Sequence, residues 1–371
     1  MSKEYTSLGL MSGTSGDGID ASIIRSDGIS KYEVLFNKYY KYQDNIYETI
    51  HSIKEKINNT KDLKNFTKDL KNLERKITMY HVEVVSEISK KNKLDIVGFH
   101  GQTIYHNASE KISVQLGDGN LLSKLTKKNI VYNFRENDIK NGGEGAPLTP
   151  IFHQLILKQN RIQVPSCVLN IGGISNITIV GNYLPYDFTS RDIGPGNCLI
   201  DAWVRKNSKK KFDKDGSIAR SGNSDKLILN QALDNFSLKT DYKKSLDVKD
   251  FDIFFAKGLS LENGAATLTE FTAKLIADGI NHIQSNSKFL SNEWVVCGGG
   301  RKNKYLLDSI KSHFENLILN PIEKYKMNGD FIESQAFAYL AIRSLEGMPI
   351  TFPSTTRCKN PSTGGVLVKN F

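Results

Sequence analysis

A chain of 371 residues is long for one hydrophobic core, so two domains are expected. A hydrophobic fraction of 39% suffices for globular cores, yet no run approaches the roughly 18 uninterrupted apolar residues that cross a bilayer, so no membrane-spanning helix is expected. The formal charge of +10 raises nucleic acid as a partner, but its distribution argues against one: lysines scatter through residues 54–76 and 206–214 among acidic side chains, with no aromatic stacking pattern beside them. Cys167, Cys198, Cys297 and Cys358 are widely spaced, with no Cys-x-x-Cys pair, so reduced thiols are expected and not zinc ligands or disulfides. The start, Met1-Ser2-Lys3-Glu4-Tyr5, lacks the basic-then-apolar run of a secretory signal, and a cytoplasmic location is the simplest expectation.

The first predicted elements are a strand over Tyr5–Leu10, a glycine-rich turn, and a strand over Ile19–Arg25. A third strand near Tyr32–Tyr40 completes a meander. Tyr47–Lys90 reads as helical, with Leu63, Phe66, Leu70 and Leu73 recurring at three-to-four spacing. Leu94–Phe99 reads as a buried strand and runs into His100-Gly101-Gln102-Thr103. Gly142–Pro147 breaks the pattern as a domain boundary or hinge loop, and a helix over about Ile151–Leu157 follows.

The second half begins in the same way. Cys167–Ile171 is a predicted strand, Gly172-Gly173-Ile174-Ser175-Asn176 a turn, and Ile177–Val180 a return strand. A helix after Gly196 carries Leu199, Ile200 and Trp203, a longer one covers Gly264–Gln284, and the strand Trp294–Cys297 runs into Gly298-Gly299-Gly300. Two strand–turn–strand units at a wide interval are an internal echo. Two such halves facing each other would set two phosphate-binding turns across one central cleft.

Binding phosphate without a Walker lysine requires backbone N–H groups that point into a concavity, which glycine permits by its backbone freedom. Gly13-Thr14-Ser15-Gly16-Asp17-Gly18 supplies such a turn, and its hydroxyls add donors. It precedes a strand and has no G-x-x-x-x-G-K-[ST] spacing, so P-loop and Rossmann readings both fail. Asp17 and Asp20 are candidate Mg²⁺ ligands, directly or through water. The Gly172-Gly173 turn repeats the logic, and Gly298-Gly299-Gly300 offers bare backbone for an adenine or ribose to lie against, followed by a helix start at Arg301-Lys302-Asn303.

The motifs Met11–Asp20, His100–Thr103, Gln115–Gly119, Gly142–Leu148, Asn170–Gly173, Asp192–Asn197 and Cys297–Gly300, in this order, resemble the anhydro-N-acetylmuramic acid kinase family, and the likeness runs to Pro361–Gly365. The resemblance implies two α/β domains of actin-like (ribonuclease H-like) fold with a central interdomain cleft. They are placed at residues 1–130, with the C-terminal segment packing back, and residues 131–371. It also implies an ATP-dependent kinase of cell-wall recycling that opens 1,6-anhydro-N-acetylmuramic acid with water and phosphorylates O6. ATP and Mg²⁺ are the implied cofactors, and a homodimer is implied as well.

Carried onto this chain, the resemblance assigns Gly13, Thr14, Ser15, Gly16, Asp17, Gly18, Ile19 and Asp20 to ATP phosphates, together with Gly172, Gly173, Gly298, Gly299 and Gly300. Asp192 becomes the general base that takes a proton from the attacking water. Asn197 is a candidate cap for the helix after it. His100, Gln102 and Glu333 are candidate sugar ligands, although a histidine at a strand end or a glutamate in a first helical turn is also an ordinary structural choice. Arg135 and Asp138 either pair with each other or reach the substrate's carboxylate. The chain departs from the family's usual residues at Gly16, Asn133, Glu144, Thr189-Ser190-Arg191 and Arg357; Gly16 suggests a looser turn.

Overall fold

The computed structural model describes residues 3–237, 245–285 and 292–370, leaving Met1 and Ser2 of the N-terminal run outside. Its strands, in chain order, are β1 (Tyr5–Ser12), β2 (Gly18–Ser26), β3 (Tyr32–Lys41), β4 (Ile96–Asn107), β5 (Ile112–Leu116) and β6 (Ile130–Tyr132). They continue with β7 (Ser166–Ile171), β8 (Ile174–Val180), β9 (Phe188–Pro195), β10 (Glu293–Cys297), β11 (Ile318–Pro321) and β12 (Val366–Val368). The chain forms two compact units: Met1–Gln159 with Phe331–Phe371, and Asn160–Asp330.

The sheet of the first unit runs β12-β6-β4-β1-β2-β3, with β5 on β4. Strands β1, β2 and β3 are an antiparallel meander, while β4 lies parallel to β1 and β6 parallel to β4. The sheet of the second unit runs β11-β10-β7-β8-β9. Here too the first three strands are an antiparallel meander, and β10 and β11 add parallel on the other side. The echo in the sequence is therefore one ribonuclease H-like topology built twice, the arrangement of actin-like proteins.

The division falls at Gln159, not at residue 130. Strand β6 begins at Ile130 and pairs with β4 and β12, so residues after 130 complete the first sheet and cannot open a second domain. The predicted helix Tyr47–Lys90 is interrupted as well, into Asp44–Lys56, Thr60–Asn65 and Thr67–Ser89. The first break is capped by Asn59, whose side chain accepts from Lys61 N and Asp62 N while Asp62 closes a capping box.

The helix Ile332–Leu345 belongs to the first unit and lies against β1 and β4. Gly9 and Gly98 make this approach feasible: a Cβ on Gly9 would stand 1.9 Å from Ser334 O, and one on Gly98 2.3 Å from Phe337 O. Ser7 Oγ donates to Ala338 O at 2.8 Å across the contact. In the second unit Ala273, Ile276, Ile280 and Ile283 of the helix Leu261–Ser285 cover Cys167, Leu169, Trp294 and Val296 of the sheet. All four cysteines are buried free thiols. No helix among the described residues is long and apolar enough to cross a membrane.

Candidate active site

The first unit holds the turn between β1 and β2. Its backbone closes through Gly16 N donating to Gly13 O at 3.1 Å, with Gly16 at φ +63°. That left-handed conformation is where glycine is favoured over any residue with a Cβ, so Gly16 tightens the turn where a looser one was expected. Ser15 Oγ donates to Asp17 Oδ1 at 2.5 Å, and Tyr39 OH donates to Asp17 O at 2.9 Å. Burial, followed by the nearby carboxylates of Asp17 and Asp20, pushes the Tyr39 phenol up from its ordinary range. Asp20 stands opposite Tyr39 in the β2–β3 register, so both acidic residues of the turn lie near this one tyrosine.

Gln102 is fully buried, and its Nε2 donates to Gly13 O at 2.9 Å. It braces the Gly13–Gly18 turn from β4. His100 is buried next to it, with Nδ1 on Gly101 O at 2.8 Å and Nε2 accepting from Arg135 Nη2 at 3.0 Å. Burial, with the guanidinium charge second, pushes this imidazole down to about 3, so it is neutral at physiological pH. Arg135 and Asp138 meet on one residue: Arg135 Nη1 donates to Gly145 O at 2.7 Å, and Gly145 N donates to Asp138 Oδ2 at 2.7 Å. Thr356 Oγ1 donates to Asp138 Oδ1 at 2.6 Å, so the glycine-rich loop at 142–147 is fastened within its own unit. Glu333 sits half-buried in the first turn of Ile332–Leu345.

The second unit holds Asp192, on β9 opposite Asn176 and just past a shift in the β8–β9 register. It is 7% exposed, which removes it from the class of surface charges. Ser245 Oγ donates to its Oδ2 at 2.8 Å and Leu246 N to the same oxygen at 2.9 Å. Ser190, in the Thr189-Ser190-Arg191 segment, lies within β9, and its Oγ donates to Ile177 O of β8 at 2.7 Å.

The Gly172-Gly173 turn is tied by backbone amides. Gly196 N donates to Gly173 O and Asn197 N to Gly172 O, both at 2.8 Å. Asn197 therefore joins the turn through its backbone and makes no side-chain cap on the helix Cys198–Asn207. At the third glycine motif, Arg301 Nη1 donates to Gly298 O at 2.9 Å, and the buried guanidinium pairs with Glu323 and Asp330. The helix near it starts at Lys304, later than expected, with Asn303 Oδ1 capping Leu306 N at 3.0 Å. In all three glycine motifs carbonyl oxygens accept hydrogen bonds from elsewhere in the same unit.

Sequence reasoning singled out each glycine motif and Asp192 but not Ser245, which stands 53 positions from Asp192 and belongs to no motif. It also missed Tyr39 and Arg301, whose neighbours in the sequence offer no hint of a bond to a glycine turn.

A family profile described as Anhydro-N-acetylmuramic acid kinase matches residues 5–370. The chain belongs to the anhydro-N-acetylmuramic acid kinase family. A relative of that description from Pelagibacter ubique (strain HTCC1062) is 56% identical over 100% of both chains. Others so described, from Agrobacterium fabrum and Brucella canis, are 34% and 36% identical over 100% and 98% of both chains respectively. The kinase family spans the entire described architecture, from β1 to β12.

Proposed function

We propose that this member of the family takes 1,6-anhydro-N-acetylmuramic acid and ATP and yields N-acetylmuramic acid 6-phosphate and ADP in cell-wall recycling, with Asp192 as general base. The observation that supports this role is a buried carboxylate held in one orientation by two donors on the same oxygen. Asp192 takes a proton from water as that water bonds to C1 of the sugar. The C1–O6 bond breaks, O6 bonds to the γ-phosphorus, and the bond from that phosphorus to the ADP oxygen breaks. A positioned base of this kind is worth ~10²–10⁴-fold in rate.

The amides of Gly13–Asp20, with Gly172, Gly173 and Gly298–Gly300, are assigned to the nucleotide, and amide donors of this kind stabilise charge that develops on phosphate. Asp17 and Asp20 would hold Mg²⁺, which when bound offsets phosphate charge. Glu333 is assigned to the sugar. His100 and Gln102, both bonded inward, are assigned to shaping the sugar site through Arg135 and Gly13. We place the reaction in the cytoplasm, where ATP is available, and assign a homodimer, to be checked by light scattering.

The decisive assay supplies the anhydro sugar and ATP in ¹⁸O-labelled water. Label at C1 of a 6-phosphorylated product is expected. Phosphorylation of N-acetylglucosamine but not of the anhydro sugar would overturn the substrate assignment.

A further inference from the structure

The helix Asp44–Lys56 carries two side chains onto the phosphate turn that the reaction scheme does not use. Lys54 Nζ donates to Thr14 O at 2.9 Å, and His51 Nε2 donates to Ser15 O at 2.9 Å. The two residues lie three apart and so share one face of the helix. That helix is seated by Ile46, Ile50 and Ile53, all buried. Ile50 reaches the turn as well: a Cβ on Gly16 would stand 2.9 Å from its Cγ2. With Gln102 on Gly13 O and Tyr39 on Asp17 O, four carbonyl oxygens of the turn are taken by side chains.

A trans peptide is planar, and its C=O and N–H point in opposite directions. Holding Thr14 O toward the helix therefore turns the Ser15 amide away from it, and holding Gly13 O toward Gln102 turns the amide of Thr14 away from β4. We propose that Lys54, with His51 beside it, is a positioning residue that fixes the Thr14–Ser15 peptide so that its amide faces the phosphates of a nucleoside triphosphate. The inference rests on the reading of this turn as the ATP-phosphate site. The apolar seat of the helix is independent of Lys54, and the side chain is half-exposed, so its removal leaves the fold intact.

The test is calorimetric titration of the full chain with Mg·ATP, alongside steady-state kinetics. Lys54→Ala is expected to raise the dissociation constant and KM for ATP about five- to tenfold, the scale of one half-exposed charge-assisted contact. KM for the sugar and the melting temperature should stay at their wild-type values, and Lys54→Arg should restore ATP affinity to within about twofold of wild type. An ATP affinity in Lys54→Ala within twofold of wild type would overturn the proposal, as would an equal loss of sugar affinity. A wild-type chain that binds ATP but phosphorylates a different sugar overturns the substrate assignment alone, because the titration still decides the role of Lys54. A wild-type chain that binds no ATP overturns both.

Discussion

Arg357 Nη1 lies 2.5 Å from Glu144 Oε1, an ion pair between residues far apart in the chain but in one unit. Glu144 N also donates to Thr356 O at 2.9 Å, so backbone and side chain close the same seam. Arg357 adopts φ +59°, a conformation that costs a residue with a Cβ ~1 kcal/mol. A partly exposed ion pair returns up to about the same amount. Glu144 and Arg357, both read from the sequence as departures from the family pattern, are therefore one compensated pair. Arg357→Gly is expected to leave the melting temperature nearly unchanged, since strain and pair go together. Arg357→Ala keeps the strain and loses the pair, and should melt about 2–4 °C lower. Thermal melts of the two variants would show the idea wrong if their order were reversed.

Gly16→Ala should weaken the grip on nucleotide. The new methyl group would meet Ile50 Cγ2 at 2.9 Å, at a φ of +63° that disfavours alanine. Destabilisation of ~1–2 kcal/mol and a several-fold rise in KM for ATP are expected. Adding Ile50→Val trims only Cδ1 and keeps the Cγ2 methyl that the new Cβ meets, so the double variant should show no relief. Melting and ATP titration of the single and double variants measure both effects.

Asp192→Asn should bind ATP normally yet lose turnover by at least about a hundredfold. Ser245→Ala removes one of the two donors on Oδ2 and leaves Leu246 N in place, so a smaller fall in kcat, roughly three- to tenfold, is expected with KM for ATP unchanged. Ser245→Thr keeps the hydroxyl and should recover most of the rate. Steady-state kinetics on the anhydro sugar decide this, and full turnover in Asp192→Asn would mean that another group is the base.

Acid should destabilise the first unit before carboxylates titrate. Burial pushes His81 down to about 4 and is the leading cause that takes His100, His106 and His153 to about 3. The folded chain keeps these rings neutral, while the unfolded chain takes up protons below about pH 6.5. Their stabilising effect is therefore complete above about pH 6.5 and declines as pH falls toward 4. Melting temperature should drop between pH 7 and pH 5. His81→Leu, in a site where the ring packs 4.6 Å from Phe99, should flatten that slope. A flat wild-type profile over this window would contradict the assignment.

The meanders and the glycine turns were legible because both depend on local signals: alternating apolar runs and residues that free the backbone. Asp192 was legible through its motif. The direction of a polar side chain was not. Gln102 and His100 read as sugar ligands because they end a strand, whereas packing turns both toward neighbouring backbone and Arg135. The lysine-rich face at residues 54–76 read as solvated, and a single lysine on it, Lys54, departs from that pattern because the helix register brings it over Thr14. The unit boundary was hidden for a similar reason: only pairing of β6 with β4 and β12 reveals which sheet residues 130–132 complete.

The unit that carries the Gly13–Gly18 turn is assembled from two separated stretches of the chain, with helix Ile332–Leu345 seated on Gly9 and Gly98 and β12 closing the sheet beside β6. During synthesis on the ribosome, all of Asn160–Asp330 emerges before that helix does, so the unit bearing Asp192 has its whole sequence available first. Strands β1 and β4 must wait, their apolar faces uncovered, for the last part of the message to be translated. A nonsense codon anywhere after Asp330 would therefore spare the complete Asp192 unit while leaving the unit of the Gly13–Gly18 turn unfinished.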